Sequence, residues 1–205
     1  MKLRFLGHAS FVIEDEPAVA IDPFDISYDS TVDYIFITHS HYDHCSPEDI
    51  EKIYDTQRTK IVAPPDCKEK LATLTSEIIT VEPGKEYIEG KLRFRTVPAY
   101  NIGKPFHPKK NGWVGYIIYL SQSIYHPGDT DFIPEMKGLN PDIFLVPIGG
   151  TYTMNPEEAA RAVEAVSPLQ YSVPMHYGKI VGSISDAEKF RNLCKGEVRI
   201  LKPEG

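Results

Sequence analysis

The sequence predicts an α/β fold of four layers, an αβ/βα sandwich in which two sheets pack face to face and helices cover their outer sides. Three observations carry this. Short β-branched and aromatic runs dominate each half of the chain. Helical patterns follow several of them. Metal-capable side chains stand directly after such runs, where strand ends and tight loops can aim them at one small volume. The length of 205 residues favours a single domain over 1–205 with a substantial core.

The elements follow in order. Residues 1–13 have β-type patterning around Gly7-His8, and Glu14-Asp15-Glu16-Pro17 is a turn signal. Residues 18–21 form a second strand ending at Asp22-Pro23-Phe24, so the opening reads as a hairpin. Residues 25–33 are polar loop. Tyr34-Ile35-Phe36-Ile37 is too short for a helix and reads as a buried strand. A helix covers 47–54, with Ser46 as N-cap and Pro47 in its first position. Residues 61–63 are a strand stopped by Pro64-Pro65, 67–74 a short helix, and 78–81 a strand. A hairpin follows over 87–97, with alternation in its second arm. Residues 98–112 hold two Gly, three Pro and two Asn without apolar period, which marks a long loop of the functional kind.

Residues 113–120 and 123–125 are strands, the second ending at His126-Pro127-Gly128-Asp129-Thr130. Residues 143–146 are a buried strand ending at Pro147-Ile148-Gly149-Gly150. The clearest helix covers 156–166. Asn155 caps it, Glu157 and Glu158 sit at the positive end of its dipole, and Ala159, Ala162, Val163 and Val166 form its apolar stripe. Residues 171–174 are a strand feeding His176, and a helix over 185–193 and a strand over 198–201 close the chain.

The stretch Thr38-His39-Ser40-His41-Tyr42-Asp43-His44 organises the rest. Three of the seven histidines fall here, directly after a core strand, and a buried unpaired set of this kind would be costly. His39 and His41 are two apart, so an extended backbone points both to one side. Imidazole with a carboxylate suits zinc, and also iron or manganese. Asp129 can bridge two metals, or simply serve a tight turn beside Gly128. His176, in Pro174-Met175-His176-Tyr177-Gly178, is a further ligand or a structural histidine. Cys45 is a soft ligand or a packed thiol.

His39-x-His41-x-Asp43-His44 resembles the HxHxDH motif of the metallo-β-lactamase-fold hydrolases. Gly128-Asp129-Thr130 resembles their GDT element, and residues 174–178 the setting of their last ligand. Gly7-His8-Ala9-Ser10, Ile21-Asp22-Pro23 and Gly149-Gly150-Thr151-Tyr152 resemble segments of one branch, the ascorbate-6-phosphate-lactonase-like and N-acyl-phosphatidylethanolamine phospholipase D-like proteins. The resemblance runs from Gly7 to Gly178. It implies one metal on His39, His41 and a third ligand, another on Asp43, His44 and His176, and Asp129 between them. It implies one or two zinc ions, with Mn2+ or Fe2+ as alternatives. The chain departs from the pattern at Pro98-Ala99-Tyr100-Asn101, where Asn101 stands in place of the family's histidine. Asn101 is then a weaker oxygen ligand, or His107 replaces it, or one site has fewer protein ligands and the protein is mononuclear.

Other residues carry paired readings. His8 faces the metal pocket or is a strand histidine. Asp22 orients a ligand histidine or is a turn residue. His126 assists as a proton shuttle or support, or merely ends a strand. Gly149 to Tyr152, with the helix start at Asn155-Pro156, hold an anion or form a plain turn.

The resemblance implies a metal-dependent hydrolase with Asp43 and Asp129 as catalytic residues. A metal lowers the pKa of its bound water from about 15.7 to near 7, and the hydroxide cleaves an ester, lactone or phosphoester of a small substrate that can carry a phosphate. The alternatives are a phosphodiesterase of the same fold and a non-catalytic metal-binding module. A net charge of −7 argues against a nucleic-acid footprint, leaving Lys104, Lys109 and Lys110 as candidates for a local basic patch. No apolar run is long enough to span a bilayer, and no signal-peptide core follows Met1. Three widely spaced Cys point to a reducing, cytoplasmic setting.

Overall fold

The computed structural model describes residues 1–204. The first half of the chain lays down one sheet in sequence order: β1 (Lys2–Gly7), β2 (Ser10–Glu14), β3 (Val19–Ile21), β4 (Tyr34–Phe36), β5 (Lys60–Ala63) and β6 (Ile78–Thr80). The second half lays down another: β7 (Glu86–Glu89), β8 (Leu92–Pro98), β9 (Val114–Tyr119), β10 (Ser123–His126), β11 (Ile143–Pro147) and β12 (Tyr171–Met175). Each sheet begins as an antiparallel meander and ends parallel, the change falling at β3 in the first and β10 in the second. Parallel neighbours need long crossovers, and the helices α1 (Pro47–Ile53), α2 (Lys68–Leu71), α3 (Pro156–Val166) and α4 (Ile184–Leu193) lie on these connections or follow them.

Three apolar seams make the layers. Between the sheets, Phe36 meets Phe94 and Tyr116 edge to face at 5.0 and 4.9 Å, contacts worth about 0.5–1.5 kcal/mol each beyond their area. Outside the first sheet, Val12, Ile35 and Ile61 pack with Ile50, Ile53 and Leu71 of its helices. Outside the second, Phe144 and Val146 pack with Ala159, Val163 and Phe190. β11 and β12 are covered on both faces, which is why their sequences run apolar without alternation. The four-layer sandwich is the predicted fold.

The helix caps match the sequence. Ser46 accepts from Asp49 N, and Asn155 and Glu158 form a reciprocal capping box at α3. Cys45 and Cys67 are buried in the seam beneath α1 and α2, so Cys45 takes the packed-thiol reading, not that of a soft ligand. The predicted helix over 67–74 is shorter, a 3-10 turn Pro65–Cys67 running into α2.

One predicted strand is corrected. Residues 198–201 do not form a strand; Val198 makes a single parallel bridge to Ser172. Ser172 N–H donates to Glu197 O and Arg199 N–H to Ser172 O, at 2.9 Å each. The next donor along β12 would be Pro174, which has no N–H, so the ladder stops after one rung.

Candidate metal centre

The carboxyl ends of β3, β4, β10 and β12 meet at one end of the sandwich, and each leads into a residue singled out by the sequence. β3 runs into Asp22, β4 into Thr38 and His39, β10 into Asp129, β12 into His176. Three of the residues here have left-handed backbones: His8 at φ 52°, Asp22 at 45° and His176 at 59°. Such non-glycine conformations cost of order 1–3 kcal/mol and persist where the surroundings impose them.

His39, His41, Asp43, His44, Asp129 and His176 come together, and so do His8 and His107. His39, His41 and His107 form one group whose ligand atoms lie within 4.8 Å of one another, and His8, Asp43, His44 and His176 another. Asp129 stands between them. One of its oxygens is 3.2 Å from His44 Nε2, and the other is 3.0 Å from His176 Nε2 and 3.3 Å from His107 Nε2.

Hydrogen bonds behind three of the histidines settle which nitrogen faces in. His44 Nδ1 donates to Asp22 Oδ2 at 2.8 Å. The same carboxylate accepts from Thr38 N and Thr38 Oγ1, at 2.8 and 2.6 Å. With its one proton given to Asp22, Thr38 Oγ1 accepts from His39 Nδ1 at 2.9 Å. His107 Nδ1 donates to Asn101 Oδ1 at 3.0 Å, and the Asn101 amide is held in that sense by its Nδ2, which donates to Asp131 Oδ1 and Tyr152 O. Each histidine is thus gripped at Nδ1 and presents Nε2 inward, the arrangement by which outlying partners orient metal-ligating imidazoles.

For Asn101 this geometry favours a supporting place over that of an oxygen ligand. Its oxygen is taken by the His107 ring and the His107 backbone N–H, so it orients His107 and is not itself aimed at the cluster. Asp22 carries out the orienting role. His8 is buried in the turn between β1 and β2, with Nε2 2.9 Å from Asp43 Oδ2. His126 takes the strand-end reading: its Nε2 meets Ala9 O and its Nδ1 accepts from Gly128 N–H, so backbone occupies both nitrogens. The segment from Gly149 to Tyr152 takes its plain-turn reading. Gly150 N–H donates to Met154 O, and the first turn of α3 is capped by its own side chains. Gly149 is needed for another reason, since a Cβ there would lie 2.3 Å from His176 O. Lys104 pairs with Asp131 and Lys109 with Glu135, so two of the three lysines of the long loop are engaged in ion pairs.

Three contributors escaped the sequence reading. Thr38 links Asp22 to His39. Asp131 holds Asn101, and its place two residues after Asp129 is the one signal that could have found it. Trp113, the single tryptophan, packs its ring 4.9, 4.8 and 5.5 Å from those of His39, His41 and His107.

Electrostatics follow the burial. Burial drives His39 well below its ordinary pKa and lowers His41, and it brings His8 to about 4. Burial pushes Asp43 up, but the His8 hydrogen bond and the His44 charge outweigh it and hold the carboxyl at about 2. Asp129 goes well below the ordinary range, the nearby His176 and His44 overcoming burial. His44 goes the other way: burial opposes its charge, but Asp129 and Asp22 raise its pKa well above the usual value.

The cluster floors a cavity of about 220 Å³, lined there by His41, Asp43, His107 and Asp129. Tyr42, Phe106, Tyr152 and Ile180 form its rim. A larger cavity of about 660 Å³ lies against β6, lined by none of these groups.

A fold of this kind with this donor set defines the class, and comparison with known proteins agrees. The chain belongs to the β-lactamase superfamily, whose domain model matches residues 2–176. Within it the chain falls among the UPF0173 metal-dependent hydrolases. One from Thermococcus onnurineus is 37% identical, over 99% of this chain and 97% of that one. A solved structure from Parabacteroides distasonis, described as a metal-dependent hydrolase, has 29% identity and a TM-score of 0.84, covering 97% of this chain and 91% of that one. Igni18, a metallo hydrolase of Ignicoccus hospitalis, has 26% identity and a TM-score of 0.79, covering 98% and 94%. The chain is thus a metal-dependent hydrolase of this superfamily.

Proposed function

We propose that this hydrolase works with two divalent cations, one held by His39, His41 and His107, the other by Asp43, His44 and His176, with Asp129 shared. The whole of 1–205 is read as one domain built around this site. The carrying observation is a set of buried polar atoms without hydrogen-bond partners: His8 Nδ1, His44 Nε2, His107 Nε2, both ring nitrogens of His176, and Asp129 Oδ1. The contacts of Asp129 with His44, His107 and His176 are close, but badly aligned for hydrogen bonds. Four of the unsatisfied atoms, His44 Nε2, His107 Nε2, His176 Nε2 and Asp129 Oδ1, belong to the proposed ligands and converge; at about 1–3 kcal/mol each they approach the whole net stability of a domain, about 5–15 kcal/mol. A cation satisfies converging lone pairs together, whereas a water has only two protons to give. The donor set, rich in imidazole with two carboxylates, suits zinc first, with Mn2+ or Fe2+ next.

A bound divalent cation supplies Lewis acidity and lowers the pKa of water to about 7. Asp43 lines the cavity, is ionised at neutral pH, and acts as the acceptor that holds and orients the attacking water. His8 fixes the Asp43 carboxylate from behind. Asp129 is the second catalytic carboxylate, placed to keep the two halves of the site at a set separation. The cavity volume supports a small substrate with a scissile ester, lactone or phosphoester bond. Among the described residues no helix is long and apolar enough to cross a membrane, and the three free cysteines support a cytoplasmic setting.

Elemental analysis and turnover of simple lactones and phosphodiesters test this together. Two metals per chain with metal-dependent hydrolysis is the expected result. Metal binding without turnover of any such substrate would favour a non-catalytic module, and no metal after reconstitution would overturn the reading.

A further inference from the structure

The rim of the metal cavity is unlike the surface around it. Nine large hydrophobic side chains are exposed among the described residues, and three of them, Tyr42, Phe106 and Ile180, line this one cavity. They are 63%, 40% and 39% exposed. Isolated exposed apolar residues are ordinary, but a cluster at the mouth of a cavity marks a binding surface. The cluster is also braced. Tyr42 lies edge-on to Phe24 at 5.8 Å, and Phe106 edge-on to Tyr152 at 4.7 Å. The backbone carrying Phe106 is tied down at Ile102, whose N–H donates to Asp131 Oδ2 at 2.7 Å.

Charge points the same way. No Lys or Arg lines the cavity among the described residues. The lysines adjoining the rim in sequence are committed elsewhere. Lys104 binds Asp131 and Thr153 O at 2.6 and 2.7 Å. Lys179 binds Asp25 through its carboxylate and its carbonyl, at 2.5 and 3.1 Å. A phosphate that is not itself being cleaved would lie at the rim, away from the cations proposed for the floor and with no side-chain cation to receive it, at a desolvation cost with no return.

We infer that the part of the substrate that is not cleaved is uncharged and apolar, of aromatic or branched-alkyl form, and is held between Tyr42, Phe106, Tyr152 and Ile180. At about 220 Å³ the cavity is smaller than a typical drug-sized site, so the group is about one ring in size. The bond cleaved can still be a carbonyl or a phosphoryl ester; it is the phosphorylated-sugar type of substrate that this rim disfavours. The inference rests on the proposed site, since it assumes that the scissile group lies over the histidine cluster.

The test is equilibrium binding to the protein as purified, read by Trp113 fluorescence and by ligand-observed NMR. The probes are phenylacetamide, acetamide and glucose 6-phosphate, with inorganic phosphate as reference. Phenylacetamide should bind at least about tenfold more tightly than acetamide, as expected for one buried ring. Phe106→Ala and Ile180→Ala should each weaken it about threefold or more, without weakening phosphate. Glucose 6-phosphate should bind no better than inorganic phosphate. Equal binding of the two amides, indifference of both variants, or clearly tighter binding of glucose 6-phosphate than of phosphate would overturn the inference. The probes need no turnover, so such a failure leaves the two-cation reading intact. Failure of that reading shows separately, as missing metal in elemental analysis of the same samples.

Discussion

Two supports hold the inward-facing nitrogens, and they differ in kind. Beneath His39 and His44 lies Asp22, a carboxylate with no exposed surface, wedged between the ends of β3 and β4 and accepting three hydrogen bonds. Beneath His107 lies Asn101, a neutral amide on the long loop, held by an Asp131 that also receives the part-exposed Lys104. The first support belongs to the sheet and cannot shift without unpacking it. The second is a chain of loop contacts, ending near solvent. The metal position that depends on His107 should therefore be the weaker of the two, and the site should load unequally.

Asp22→Ala tests the stronger support and should have the largest effect. It strands His44 Nδ1 and Thr38 in the interior, at about 3–5 kcal/mol by analogy with broken buried pairs. Denaturant unfolding should show that loss and elemental analysis the loss of both metals; a variant of near-parental stability with two metals would refute the comparison. Gly128→Ala strikes the same support indirectly. Its φ is 65° and its Cβ would lie 2.9 Å from Thr38 Cβ, so a loss of about 1–3 kcal/mol is expected in the same unfolding assay.

His107→Ala should remove one metal and spare the other, with little change in stability; loss of both would mean that the two positions are not independent. Asn101→Ala is the milder version. It should weaken one metal about 10–100-fold, measured by chelator competition, and leave the second unchanged. Lys104→Met, at the solvent end of the loop chain, should change stability by about 0–1 kcal/mol and metal content not at all.

Acid and alkali separate loaded from stripped protein. In the stripped protein His44 has a raised pKa, so its pairing with Asp129 and Asp22 stabilises fully below the unfolded value near 6.5 and is lost as pH rises through the folded one. Metal must displace that proton, so metal affinity should fall as pH falls. Melting temperature against pH, with and without chelator, should therefore slope in opposite directions above about pH 6.5.

The legible parts of this molecule were those encoded locally. The loop from His39 to His44, the caps at Ser46 and Asn155, and most strands could be named because a few adjacent residues determine them. The third ligand was legible only as a choice among Asn101, His107 and a position with fewer protein ligands. What favours His107 is contact of Asn101 with Asp131 and Tyr152, 30 and 51 residues away, and no periodicity reports such contacts. His126 carried the same chemistry as its neighbours in sequence, yet the turn at Gly128 directs it to backbone. The strand over 198–201 had suitable residues and failed because of a proline on the strand it would have joined. The rim aromatics were countable, but their gathering at one mouth was not.

That proline has a wider consequence. β12 is an outer strand of its sheet, buried on both faces and so without surface charge to keep other chains away. An edge of this kind ordinarily invites strand addition by a second molecule and, from there, aggregation. Here the outward row of donors is used up position by position. Ser172 gives its N–H to Glu197, Pro174 has none to give, and His176 gives its N–H to His8 O at 2.6 Å. An incoming strand would find no free donor along that edge, and the last of the three closures is made by the same turn that places His8 behind Asp43. At this corner of the protein one hydrogen bond both closes the end of the edge and ties down the turn that carries His8.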